Sequence, residues 1–364
     1  MNNYKLLTPG PLTTTNTVKE EMLIDRCTWD DDYKSITQKI RKQLLEIGKA
    51  SLDNYTTVLI QGSGSFAVES VITTAMSHED KLLIISNGAY GERIIEMSQY
   101  IGINHVPYRL SYDEVPKEEE IINILKEDKE ISHIVMVHCE TTTGILNPIE
   151  VIAKLAKEHE KTLIIDAMSS FGGIEINIEE LGIDFLISSA NKCIQGVPGF
   201  SFVIGKKNKL LKCEGNSRSL CLDLFEQWKV MDKDGKWRYT SPTHVVGGFS
   251  KAIDELIEEG GVTQRYMRYK TNNKLLRSRL KEIGFNPYIQ EENQSPIITT
   301  FLFPTQDFDF ISFYNYMKER GFVIYPGKLT DVDTFRMGNI GEIYEEDINN
   351  LCDVINEYVK VVRK

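Results

Sequence analysis

Between about residues 57 and 206, short runs of uninterrupted apolar residues take turns with longer amphipathic stretches. The runs cover 57–60, 82–85, 134–137, 163–165, 185–187 and 200–204, and helical spacing appears between several of them, as at 117–127 and 149–160. A strand that is apolar at every position cannot keep one face in water, so it must be covered on both. Strands of that kind alternating with helices predict an α/β domain with a mostly parallel central sheet flanked by helices. The pattern changes near residue 250. A long helical pattern begins near 248 and runs past 257. An apolar run at 297–303, a helix near 308–320, short strands near 322–325 and 334–337, and a last helix near 344–362 follow. This predicts a smaller C-terminal α+β domain. The expected division is an N-terminal arm (1–15) joining or crossing the two domains, a large domain (16–250) and a small domain (251–364).

Charge and cysteine usage narrow the function. The formal net charge of the 364-residue chain is -11. So acidic a protein repels nucleic acid and anionic lipid, and neither is expected as a partner. No apolar run approaches the ~18 residues of a membrane span. The opening MNNYKLLTPGPL lacks the charged start and apolar segment of a secretory signal. The six cysteines are scattered without a CxxC pair, and no metal-site spacing joins them to histidines. A cytoplasmic protein with reduced thiols and no bound metal is expected.

Three short stretches carry possible chemistry. Gln61-Gly-Ser-Gly-Ser65 lies between an apolar run and a helical pattern, an arrangement that offers backbone N–H groups to a phosphate. It lacks the P-loop and dinucleotide signatures, and alone it reads equally as a capped turn. Asp166 ends the 163–165 run, where α/β folds bind ligands, although a loop acid would look the same. Lys192 follows the 185–187 run beside a glycine- and proline-bearing loop. A lone lysine is ordinarily a surface residue, but a buried one loses its charge readily and suits carbonyl condensation. Together, a phosphate cradle, a strand-end acid and a strand-end lysine match the needs of pyridoxal phosphate: a phosphate to hold, a ring nitrogen to keep protonated and an aldehyde to bond.

Seven motifs extend that match along the chain: TPGP at 8–11, GSGS at 62–65, NGAYGER at 87–93, ETTTG at 140–144, DAMSS at 166–170, SSANKCIQGVPG at 188–199 and FRMGNIG at 335–341. With them the chain resembles the class V branch of the fold-type I pyridoxal-phosphate aminotransferases. The stretches at 6–23, 27–33, 61–70 and 217–246 are most similar to members that take an aminophosphonate as amine donor and pyruvate as acceptor. The resemblance implies that Lys192 bonds the cofactor and moves the proton, and that Asp166 pairs with the pyridine nitrogen. It implies that Ser63, Gly64 and Ser65 hold the phosphate with Asn191 nearby, that Tyr90 stacks on the ring and that Thr141 sits beside its hydroxyl. Arg336 would bind the substrate's acid group. Thr240 would reach the phosphate of a neighbouring subunit in a homodimer. Arg26 and Arg218 are weaker candidates for a phosphonate's extra charge. His138 is expected to be a core residue and Trp29 to pack the arm. A glyoxylate-using transaminase, a cysteine desulfurase-like enzyme using Cys193, and a non-catalytic phosphate-ligand protein remain open at this point.

Overall fold

The computed structural model describes residues 4–329 and 332–362. Residues 1–3 of the expected arm, and 330, 331, 363 and 364 of the expected small domain, lie outside that set. Seven strands form the central sheet: β1 (Tyr55–Gln61), β2 (Lys81–Ser86), β3 (His105–Arg109), β4 (Ile131–Val137), β5 (Thr162–Asp166), β6 (Phe185–Ser189) and β7 (Phe200–Lys206). Their spatial order is β1-β7-β6-β5-β4-β2-β3. Strand β7 runs antiparallel to both neighbours, and every other pair is parallel.

Each of the six apolar runs lies within one of these strands. Alternate side chains of a strand point to opposite faces. Accordingly Leu83, Ile85, Ile134, Met136 and Leu163 enter one buried layer, and Leu82, Ile84, Val135, Val137 and Ile164 enter the other. Helices α1 (Gly64–Ala75) and α2 (Ala89–Tyr100) close the second layer with Val71, Ile72, Ile94 and Ile95. Helices α3 (Ile149–Glu158) and α4 (Thr243–Glu258) close the first with Ile152, Leu155, Phe249 and Ile253. Each such side chain contributes roughly 1.5–3 kcal/mol of burial free energy.

The chain leaves α4 through Gly260 and Gly261, with φ of 105° and 75°, and enters α5 (Gly261–Glu282). The boundary expected between 250 and 251 falls inside α4; we propose that the division be drawn at this glycine pair, where the left-handed backbone interrupts the helix. Beyond it, β8 (Ile298–Leu302), β9 (Tyr325–Pro326) and β10 (Thr334–Gly338) form an antiparallel sheet in the order β8-β10-β9. Leu276, Phe301, Phe313, Phe335 and Ile355 form its separate core.

The arm touches both units. Its strand Lys5–Leu6 pairs in parallel with Phe322–Val323, and Leu7 is buried in the core of the C-terminal unit. Leu12 then packs with Cys139, Cys193 and Tyr269. Trp29 does not pack the arm: it is 70% exposed, with Lys34 and Lys236 over its ring. The buried aromatic of that stretch is Tyr33, whose hydroxyl bonds the Ser241 hydroxyl at 2.5 Å.

Candidate active site

Parallel strands bring their C-terminal ends to one edge of a sheet, and ligands of α/β folds bind there. Along that edge lies a cavity of about 790 Å³ that opens to solvent. The turn after β1 brings Ser63, Gly64 and Ser65 to its wall. Helix α2 brings Tyr90, the end of β5 brings Asp166, and the turn after β6 brings Asn191 and Lys192. Residues up to 129 positions apart in sequence thus meet because the sheet aligns its loops.

Lys192 donates from Nζ to the Pro9 carbonyl at 2.7 Å. Protein surrounds the side chain, and the surface it keeps lies on the cavity that it lines. Burial pushes its pKa below the usual lysine range, while Tyr90, Cys193 and Asp166 oppose that shift less strongly. The amine is therefore poised to lose its charge. The arm approaches so closely that a Cβ on Gly10 would lie 2.9 Å from both Asn191 O and Lys192 Cδ.

Asp166 is 5% exposed, and burial raises its pKa to about 6. The Met168 N–H, at 2.9 Å from Oδ1, offsets part of that cost, and Lys192 and Arg93 add attraction. At neutral pH the carboxyl is ionised and poorly solvated, so a nearby cationic ring would be held strongly.

Ser63 precedes α1 without capping it through its side chain, which leaves its hydroxyl and the first N–H groups of the helix free to meet an anion. Arg93 adds a cation there, donating to Ser65 Oγ at 3.4 Å with its guanidinium 4.9 Å from the Tyr90 ring centre. Burial pushes the Tyr90 phenol up, but Lys192 and Lys328 outweigh it and pull the pKa below the ordinary value. Lys328 Nζ lies 3.4 Å from the Tyr90 hydroxyl.

Arg336, on β10, is 2% exposed. It donates to the carbonyls of Pro326 and Thr141, each at 3.0 Å, and the Tyr90 hydroxyl lies close enough to act on its charge. No carboxylate forms a salt bridge with it among the described residues; burial pulls its pKa below the ordinary value, while Tyr90, Tyr325 and Glu140 oppose that shift. Thr141 is buried, and its hydroxyl helps to lower the Tyr90 pKa. Thr240 is exposed and does not line this cavity.

The family model that matches this chain is Aminotransferase class-V, over residues 28–334. The chain belongs to the class-V aminotransferases. It is 64% identical over 361 residues to the 2-aminoethylphosphonate–pyruvate transaminase of Lysinibacillus sphaericus, covering 99% of each chain. It is 56% identical, with the same coverage, to the enzyme of that name from Bacillus cereus. Among solved structures it is similar to alanine–glyoxylate aminotransferase from Nostoc sp., with a TM-score of 0.90 and 22% identity over 99% of this chain and 96% of that one. At that identity the likeness shows the fold. The expected α/β architecture, with its mostly parallel sheet, is that of this aminotransferase.

Other expectations divide. His138 is a buried core residue: burial lowers its pKa to about 4, and Nδ1 pairs with Ser170 Oγ at 2.9 Å. Arg26 is spent on the Ile24 carbonyl and the Glu21 carboxylate, and Arg218 on the Met76 and Ser77 carbonyls, so neither faces the cavity. Cys193 is buried, burial raises its pKa, and its Sγ bonds the Ser169 carbonyl at 3.1 Å, the reverse of a mobile thiolate nucleophile.

Four participants carried no separate sequence signal: Arg93, Lys328, the Pro9 carbonyl and Glu140. Glu140 is fully buried and accepts from the N–H groups of Tyr90 at 3.1 Å and Gly91 at 3.3 Å. It also accepts from the N–H and hydroxyl of Thr142 at 3.0 and 2.6 Å. It thereby anchors the first turn of α2, which carries Tyr90 and Arg93. Pro9, Arg93 and Glu140 stand in quoted motifs, the last two beside residues already singled out; Lys328 stands in none.

Proposed function

We propose that this aminotransferase uses pyridoxal phosphate to move the amino group of 2-aminoethylphosphonate to pyruvate, giving phosphonoacetaldehyde and L-alanine. The observation that carries the reading is the buried Lys192 amine, shifted toward its neutral form, in one cavity with the buried Asp166 carboxylate. The full-length identity to transaminases of that name supplies the substrate pair. The donor set fits the cofactor: Ser189 Oγ is buried on the cavity wall without a hydrogen-bond partner, and the cradle before α1 has free N–H and hydroxyl donors.

When bound, the cofactor supplies an aldehyde that condenses with amines and a ring that accepts the electron pair left by loss of a proton. Ser63, Gly64 and Ser65 would hold its phosphate, with Asn191 nearby, and Tyr90 and Thr141 would lie against its ring. Asp166 would keep the ring nitrogen protonated. Lys192 would hold the cofactor through its aldehyde, and its Nζ would be the base that takes the proton from the substrate carbon bearing the amine and gives a proton back. Arg336 orients the acid group of donor and acceptor in turn. Thr240 reaches the phosphate held by a second copy in a homodimer; its exposure beside the exposed Leu220 and Tyr239 supports that role.

Purified protein is expected to be yellow, and borohydride reduction to fix the label on the peptide that contains Lys192. Assay of 2-aminoethylphosphonate with pyruvate should release alanine. Faster turnover of serine with glyoxylate would reassign the substrates, and a colourless protein that takes up no cofactor would overturn the enzyme reading.

A further inference from the structure

The cationic groups around Tyr90 exceed what one carboxylate requires. Arg93 stands on the side of Ser65 and the α1 cradle. Lys328 Nζ lies 3.4 Å from the Tyr90 hydroxyl, and Arg336, on β10, is near enough for that hydroxyl to act on its charge. Lys328 Nζ lies 4.5 Å from the Tyr90 ring centre, so a cation–π contact as well as the hydroxyl fixes its position. Neither cation pairs with a carboxylate among the described residues. An exposed lysine ordinarily points to bulk water; this one is drawn over the ring that walls the site.

We infer that Lys328 is a specificity-determining residue of the acid-group subsite: with Arg336 it forms a two-cation clamp beside the Tyr90 hydroxyl that matches the second negative charge of a phosphonate. A carboxylate carries one charge and two oxygens, and the fork of Arg336 satisfies both. A phosphonate, like a phosphate monoester, carries up to two charges on three oxygens near neutral pH. The third oxygen needs its own donor, and an ammonium acting as a point charge suits it. One site can then accept the phosphonate donor and the carboxylate acceptor in turn, with Lys328 engaged by the first and idle with the second. This inference rests on the proposed substrate pair.

The test compares wild type, Lys328→Met and Lys328→Arg, each loaded with cofactor. Loss of one charge-assisted hydrogen bond predicts a fall of roughly 10- to 100-fold in kcat/KM for 2-aminoethylphosphonate in Lys328→Met, carried by KM. The half-reaction with pyruvate should fall by no more than about 3-fold on the same argument, because Arg336 alone satisfies a carboxylate. The arginine variant should recover most of the loss. Dissociation constants for ethylphosphonate and propionate, which lack the amine, supply a readout without turnover: the preference for ethylphosphonate should collapse in Lys328→Met alone. Equal losses with both substrates, or an unchanged ratio of the two dissociation constants, would overturn the clamp. A wild type that prefers ethylphosphonate but does not turn over the aminophosphonate would sink the proposed function while leaving the clamp standing.

Discussion

Changing Asp166 to Asn separates what this site costs in stability from what it does in chemistry. In the cofactor-free protein the carboxyl is 5% exposed, and burial raises its pKa from 3.8 to about 6. A raised pKa means that folding takes up a proton between those values. The contribution of this group to stability is therefore complete below pH 3.8 and is lost as pH rises through about 6. At 1.36 kcal/mol per pH unit, the loss is about 3 kcal/mol at pH 8. Asparagine keeps the shape, and its Oδ1 can still accept the 2.9 Å bond from the Met168 N–H, but it carries no charge to desolvate. Cofactor-free Asp166→Asn should thus unfold in urea with a free energy about 2–3 kcal/mol above wild type at pH 8, and nearly equal to it at pH 4. The loaded enzyme should show the opposite balance in activity, with turnover reduced by about three orders of magnitude or more, because a partner for the ring nitrogen is gone. A stability difference that stays constant with pH, or is absent at pH 8, would refute the claim that this carboxylate is held against its solvation. Near-normal turnover would remove Asp166 from its chemical role.

Lys192→Ala should be colourless and inactive while keeping its circular dichroism, since the amine makes one bond, to the Pro9 carbonyl; an absorbance scan after cofactor addition checks this, and retained colour would count against Lys192. Gly10→Ala should cost about 1–3 kcal/mol in denaturant unfolding, because φ is +115° and the new Cβ would press on the Asn191 carbonyl, which cannot swing aside. Glu140→Ala strands four buried donors, those of Tyr90, Gly91 and the two of Thr142, and should lower the unfolding free energy by about 3–5 kcal/mol. A loss below about 1 kcal/mol would mean that water replaces the carboxylate.

Local signals were enough wherever burial is two-sided. The six apolar runs became strands because a chain apolar at every position has one stable place, the middle of a covered sheet. Strand β3, with the sequence HVPYR, was invisible for the converse reason: it is an edge strand that pairs only with β2, so it tolerates a proline and polar residues. The reversal of β7 was equally unreadable, because an apolar run has no direction. In the site, Asp166 and Lys192 were legible since an acid and a lysine at strand ends contradict the pattern around them. Lys328 was not, because its position depends on a contact with Tyr90, 238 residues away, and nothing near it in sequence departs from an ordinary surface segment. Trp29 stays at the surface despite its aromatic ring because Lys34 and Lys236 lie over the indole there.

The charged residues gathered at this edge are held there at a cost. A buried amine pushed toward neutrality, a carboxylate raised to about 6, and a buried arginine whose charge burial disfavours would each be more stable in water. They persist because the elements carrying them are fixed from elsewhere: β5 and β6 by two apolar layers, and β10 by Phe335 and Met337 in a separate core. The arm is held the same way: Leu7 is buried in the core of the C-terminal unit, and two residues on, the Pro9 carbonyl accepts from Lys192 Nζ at 2.7 Å.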